Sequence, residues 1–261
     1  MDQNLQSIKR TLLILSGKGG VGKSTVAVYL AAGLARRGLK VGLMDVDLHG
    51  PSIPTMLGLQ GKAATSDGTM IEPALYDVGG GSEAEPLRVI SIAFFLKSRN
   101  DAVIWRGPMK TTAIKQFLGQ VSWGALDYLI VDSPPGTGDE PLSVAQSIPG
   151  AQAVVVTTPQ DISLSDVRRS IGFCNALKMK IVGVIENMSG LVCPHCGGRI
   201  DLFKMGGGRK MAGEMGVPFL GALPIDPSVV TAGDDGDLLE DGPTLEAFDE
   251  IIDKIAEPDS V

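Results

Sequence analysis

The sequence predicts an α/β fold: a mostly parallel sheet flanked by helices. Two observations carry that prediction. Short apolar runs rich in β-branched residues alternate with longer helical patterns, and the runs are apolar enough to be buried on both faces. Strands of that kind, spaced by helices, belong to parallel sheets covered by helical layers.

Taken in order, Thr11–Ser16 reads as a strand and Lys23–Arg37 as an amphipathic helix. Leu39–Met44, Leu87–Ile92, Tyr128–Val131, Ala153–Thr157 and Ile181–Ile185 read as further strands, with helical stretches at Met109–Val121 and Ile162–Leu177. Residues 50–86 are rich in Gly, Ser, Thr and Pro and poor in periodicity, the signature of a surface excursion. The 261 residues, 44% of them hydrophobic, suit one domain spanning 1–261, with a tail at 257–261 that should fray. Parallel sheets bind ligands beyond the carboxyl ends of their strands, so the loops that follow strands carry the search for function.

Composition narrows the setting. No apolar run approaches the ~18 residues of a membrane span, and Met1–Arg10 lacks the apolar core of a signal peptide. Three cysteines are too few for a disulfide scaffold, which points to a reducing compartment and a cytoplasmic location. The net charge of −7 is uneven: residues 234–261 hold eleven acids against one lysine, leaving 19 acidic and 22 basic residues elsewhere. An acidic tail and a nearly neutral body suit neither nucleic acid nor an anionic membrane as partner.

The first strand runs into Gly17-Lys18-Gly19-Gly20-Val21-Gly22-Lys23-Ser24-Thr25, which opens a helix. This is G-x-x-x-x-G-K-[ST] in the strand–loop–helix setting of a P-loop NTPase. Glycines let backbone N–H groups converge on phosphate oxygens, and the helix N-terminus adds partial positive charge. Lys23 is expected on the β- and γ-phosphates and the Ser24 hydroxyl on Mg²⁺. Gly17, Gly19 and Gly22 also satisfy G-x-G-x-x-G, with Asp45 near the place of a dinucleotide fold's ribose acid. A dinucleotide site has no use for Lys23-Ser24, so the triphosphate reading is preferred.

Two strands end in acids. Leu129-Ile130-Val131-Asp132 puts a carboxylate where a Walker-B residue supports Mg²⁺ or its water shell, and Gly136 could let the following loop sense the γ-phosphate. Val41-Gly42-Leu43-Met44-Asp45-Val46-Asp47 ends in two acids on one side of the strand. One can organise the metal while the other orients the attacking water; spacing alone does not divide the roles. Cys193-Pro194-His195-Cys196 is a lone C-x-x-C in a loop spanning 188–207, equally compatible with half a zinc site, a dithiol or half a cluster site. Zinc and [4Fe–4S] sites generally take four protein ligands, and two chains meeting on a two-fold axis would supply four thiols. Cys174, beside Phe173 in a helical pattern, reads as core, and His195 as a loop residue.

Lys18, a second cation directly after the first glycine, narrows the class. With DVDLHGPS at 45–52, WRGP at 105–108, DSPPGTGD at 132–139, TPQD at 158–161, NMSG at 187–190 and the cysteine pair, the chain resembles the deviant Walker-A ATPases, the group of MinD, ParA and the nitrogenase iron protein. It is most similar to the Mrp/ApbC-type iron–sulfur cluster carriers. The resemblance implies a homodimeric, slow ATPase in which Lys18 reaches the partner's ATP and Asp47 serves the attacking water. It implies that Asn187 and the Leu223–Asp226 turn, with Pro224 and Asp226, hold the adenine. It also implies a [4Fe–4S] cluster bridged by Cys193 and Cys196 of two chains and passed to apo iron–sulfur proteins. His49 departs from the tyrosine expected in many relatives. The rival functions are a ParA/MinD-like positioning ATPase and a zinc-stapled regulatory ATPase. Against the first, residues 246–256 are acidic where a membrane helix would be basic.

Overall fold

The computed structural model describes residues 6–47, 50–61, 65–66, 70–95, 107–193, 196, 198–200, 202 and 205–256. The first strand, β1 (Ile8–Ser16), leads into α1 (Lys23–Arg36) and then β2 (Val41–Asp45). After β2 come a one-turn helix at Ile53–Met56, the short strand β3 (Ala74–Tyr76) and β4 (Leu87–Ser91). Helix α2 (Gly107–Gln120) precedes β5 (Leu126–Asp132), and α3 (Asp139–Ser147) precedes β6 (Gln152–Thr157). Helix α4 (Asp161–Ala176) leads to β7 (Ile181–Glu186), α5 (Gly207–Met215) to β8 (Phe219–Ala222), and α6 (Pro227–Asp235) and α7 (Pro243–Ala256) close the chain.

Among the described residues, eight strands form one sheet in the order β8-β7-β6-β1-β5-β2-β4-β3. Every pairing is parallel except β3 with β4. Residues 50–86 therefore contribute an edge strand, and they also bury Leu57, Leu59 and Val78. Three residues of strand in a Gly- and Ser-rich stretch give almost no periodic signal, which is why the edge was not visible in the sequence.

The double burial has a direct physical expression in β1. Leu12 and Ile14 join the core shared with α1 and α7, while Leu13 and Leu15 join the core on the opposite face, beside α2 and α3. All four are at most 1% exposed, so strand periodicity of two sends alternate side chains into two separate apolar layers. Gly42 on β2 lies so close to Trp123 and Leu126 that an added Cβ would come within 2.8 Å of both. The opposite edge is shielded by α7: Lys254 donates to the Leu220 carbonyl, and Ile251 packs over Gly221. Among the described residues, no helix is long and apolar enough to cross a membrane.

Candidate functional site

The loop after β1 wraps the N-terminus of α1. Gly22 caps that helix in the left-handed region, at φ 79° and ψ 26°, a conformation costly for any side chain. A Cβ there would also approach the Asn187 amide nitrogen to 2.2 Å. Gly17 meets α4 in the same way: a Cβ would fall 2.5 Å from the Asp166 backbone. The tight approach of α4 and of Asn187 to the loop therefore depends on glycine at both positions.

Lys23 is only 6% exposed and turns back onto the strand ends. Its Nζ donates to Asp132 Oδ1 at 2.5 Å and lies 3.7 Å from Asp47 Oδ2. Ser24 Oγ donates to the other Asp132 oxygen, also at 2.5 Å. These carboxylates are the counterions of a buried ammonium, and a triphosphate would compete for the same cation. The Gly136 N–H donates to the Ser16 carbonyl at 2.8 Å, which ties the loop following Asp132 to the end of β1.

Asp45 and Asp132 are partners in the register of β2 and β5, each the last residue of its strand. Asp45 Oδ1 accepts from the Asp47 N–H at 3.1 Å, and Asp45 Oδ2 accepts from Ser91 Oγ at 2.9 Å. Burial, and then the neighbouring Asp132 charge, push the Asp45 carboxyl up to about 8. Burial also raises Asp132, opposed by the Lys23 ammonium and its hydrogen bond. Two acids disfavoured as anions, beside a serine hydroxyl and one lysine, form a site that a divalent cation would suit, since it favours their ionised forms.

A cavity of about 130 Å³ opens beside the P-loop, lined by Gly22, Thr25, Asn187, Pro224, Asp226 and Phe248 among others. Asn187 Nδ2 donates to the Val21 carbonyl at 2.9 Å, joining the end of β7 to the P-loop. Asp226 has structural duties as well: it caps α6 through the Ser228 N–H at 2.9 Å and accepts from Thr244 Oγ1 at 2.6 Å. Lys23, Ser24, Asp45, Asp47 and Asp132, expected on phosphate, metal and attacking water, thus share one cluster in which only Ser24 is not buried, and the expected base-contacting residues line the adjoining cavity. Lys18 is half-buried in the loop, and its carbonyl accepts from Ser16 Oγ at 2.9 Å.

The cysteine pair stands on a small hairpin that follows the end of β7. Leu191–Val192 pairs antiparallel with Arg199–Ile200, and the Cys193 N–H donates to the Gly198 carbonyl at 2.9 Å. Cys193 and Cys196 therefore stand at the tip of a small hairpin, half-buried and exposed respectively, whereas Cys174 is buried. Burial pushes the Cys174 thiol up to about 11, leaving it protonated and inert. Leu48, His49, Trp105, Arg106, Pro194, His195, Gly197 and residues 257–261 lie outside the described residues.

Two buried polar residues at strand ends were not singled out from the sequence. Ser91, the last residue of β4, holds Asp45, and Glu186, the last residue of β7, is a fully buried carboxylate. Both carry the signal that revealed Asp45 and Asp132, a polar residue closing an apolar strand.

Comparison with known proteins shows the family of the chain. A cytosolic Fe-S cluster assembly factor CFD1 from Eremothecium gossypii is 51% identical over 231 residues, covering 87% of this chain and 82% of the relative. An iron-sulfur cluster carrier protein from Saccharolobus solfataricus is 47% identical over 260 residues, covering 98% and 86%. The solved structure of a nucleotide-binding protein from Archaeoglobus fulgidus in complex with ADP superposes with a TM-score of 0.80 at 37% identity, covering 95% of this chain and 94% of that one. The family model of the ParA group described as NUBPL iron-transfer P-loop NTPase matches residues 7–256, and the chain belongs to that family.

Proposed function

We propose that this P-loop ATPase works as a homodimer that carries a [4Fe–4S] cluster between the Cys193 and Cys196 thiolates of two chains. ATP binding and hydrolysis accompany passage of that cargo to apo iron–sulfur proteins. The observation that carries the reading is the placement of the two thiols. They stand at the tip of a small hairpin, half-buried and exposed, and among the described residues no group of three or more His, Cys, Asp or Glu side chains could hold a metal ion. Two thiols per chain make a four-thiolate site when two chains meet. The names of the relatives, assembly factor and cluster carrier, support the cargo, and the word cytosolic supports a cytoplasmic setting.

In this reading the P-loop amides of residues 17–25 and Lys23 hold the phosphates, while Ser24, Asp45 and Asp132 support Mg²⁺. Asp47 orients the attacking water, and Lys18 of one chain stabilises the charge that develops on the other chain's ATP. Phosphoryl transfer requires positioning and charge neutralisation rather than covalent chemistry, and these side chains supply both. Asn187, Pro224 and Asp226 line the site for the base.

The test is transfer itself. The chain reconstituted anaerobically with iron and sulfide is mixed with an apo-dehydratase that regains activity only on receiving [4Fe–4S]. Activation faster than that by equal free iron and sulfide, and lost in Cys196→Ala, is expected. Activation no faster than by the free ions would reject the carrier reading.

A further inference from the structure

We propose that Glu186 is the positioning residue through which the nucleotide cavity sets the geometry of the cysteine hairpin. The inference rests on the reading that both sites belong to one cycle. Glu186 ends β7 and is fully buried, a costly place for a carboxylate unless donors surround it. Three do. Ser189 Oγ donates to Oε1 at 2.6 Å, the Gly206 N–H donates to Oε1 at 2.9 Å, and the Gly208 N–H donates to Oε2. Ser189 lies where the chain leaves the sheet toward the cysteines; Gly206 and Gly208 lie where it returns and enters α5. One carboxylate therefore closes the neck of the whole excursion, with the positive end of the α5 dipole resting on it. The approach is close enough that a Cβ on Gly208 would come within 3.0 Å of Oε2.

The same neck is stitched to the cavity wall. The Leu223 N–H donates to the Glu186 carbonyl, the Ser189 N–H to the Leu223 carbonyl, and the Ile225 N–H to the Gly190 carbonyl, each at 2.8 Å. Asn187, the next residue, holds the P-loop through Val21. Met188 follows in the left-handed region at φ 57°, a strained conformation for a side chain of that size. Cavity-lining residues 187, 188, 223 and 225 are thus interleaved with the residues that anchor the hairpin. A nucleotide that shifts Asn187 relative to Val21 moves the backbone on which Glu186 holds both ends of the neck.

The test uses the full-length, metal-free chain. Iodoacetamide modification of Cys193 and Cys196 is followed by mass spectrometry with and without saturating Mg-ATP, the buried Cys174 serving as internal reference. In the natural chain ATP is expected to change the rate by at least about fivefold, the lower end of ordinary coupling between sites. Glu186→Gln, isosteric but unable to accept from all three donors, should reduce that ratio to below about twofold while ATP affinity stays within about threefold. Ser189→Ala, which removes one donor, should give an intermediate ratio. A merely structural role would lower the melting temperature but leave the ratio intact. An unchanged ratio in Glu186→Gln, or no ATP dependence in the natural chain, overturns the proposal. If Glu186→Gln does not fold, Ser189→Ala decides, and an unchanged ratio there overturns it equally. Because the readout needs no iron, failure of the carrier reading leaves this result standing, and the reverse also holds.

Discussion

Asp45 and Asp132 stand opposite one another at the ends of adjacent parallel strands, both at most 1% exposed. With Asp45 raised from 3.8 to about 8, the folded chain holds a proton that the unfolded chain has already lost. The stability contributed by that proton is complete below the unfolded value and disappears as pH rises toward the folded one. In the absence of nucleotide and metal, the melting temperature should therefore fall between pH 5 and pH 8. Asp45→Asn, which mimics the protonated form, should flatten the slope. An Asn variant that keeps the full pH dependence would assign the effect to other groups.

Lys23→Ala should lower ATP hydrolysis by ~100-fold or more, the scale seen when one charge-stabilising donor is lost. It should also leave Asp132 buried without its cation, at a cost of about 3–5 kcal/mol in denaturant unfolding at pH 8. A folded variant with unchanged turnover would remove Lys23 from the chemistry.

Gly22→Ala should destabilise the nucleotide-free chain more than Gly20→Ala does. Both glycines are left-handed, at φ 79° and 78°, so both substitutions carry the roughly 1–2 kcal/mol strain of that conformation. Only at position 22 does the new methyl also meet the Asn187 amide. Combining Gly22→Ala with Asn187→Ala should restore part of the loss, a non-additivity that thermal melts can measure. Strict additivity would mean that Asn187 does not restrain the P-loop.

Most of the residues that meet around Lys23 were named from the sequence because they lie in contiguous words. Gly17–Thr25 and the two acids at 45 and 132 close apolar strands, and a parallel sheet brings strand ends together whatever their spacing. The edge strand at 74–76 and helix α5 at 207–215 were not legible. Each is short, and each is held by partners distant in sequence rather than by its own periodicity. Glu186 escaped for a related reason. An acid at a strand end invites a metal or phosphate reading only beside other ligands, and two of its three donors lie 20 and 22 residues away, where the chain returns into α5. Asn187 was named only through the resemblance, and its contact with Val21 spans 166 residues and emerges only from the packing.

If Lys18 acts across a dimer, Lys18→Ala and Asp47→Ala chains should complement each other. Mixing them confines both lesions to one composite site and leaves the other intact. Exchange-competent heterodimers should recover up to about half of the natural ATPase activity, given two independent sites. Verified heterodimers with no recovery would assign Lys18 to its own chain's nucleotide.

The bridged cluster is the central claim, and native mass spectrometry after anaerobic reconstitution tests it most directly. A dimer carrying about four iron and four sulfide ions is predicted from the four-thiolate arithmetic, absent in Cys193→Ala and Cys196→Ala and retained in Cys174→Ala. A single zinc with no iron uptake, or a cluster held by a monomer, would contradict it.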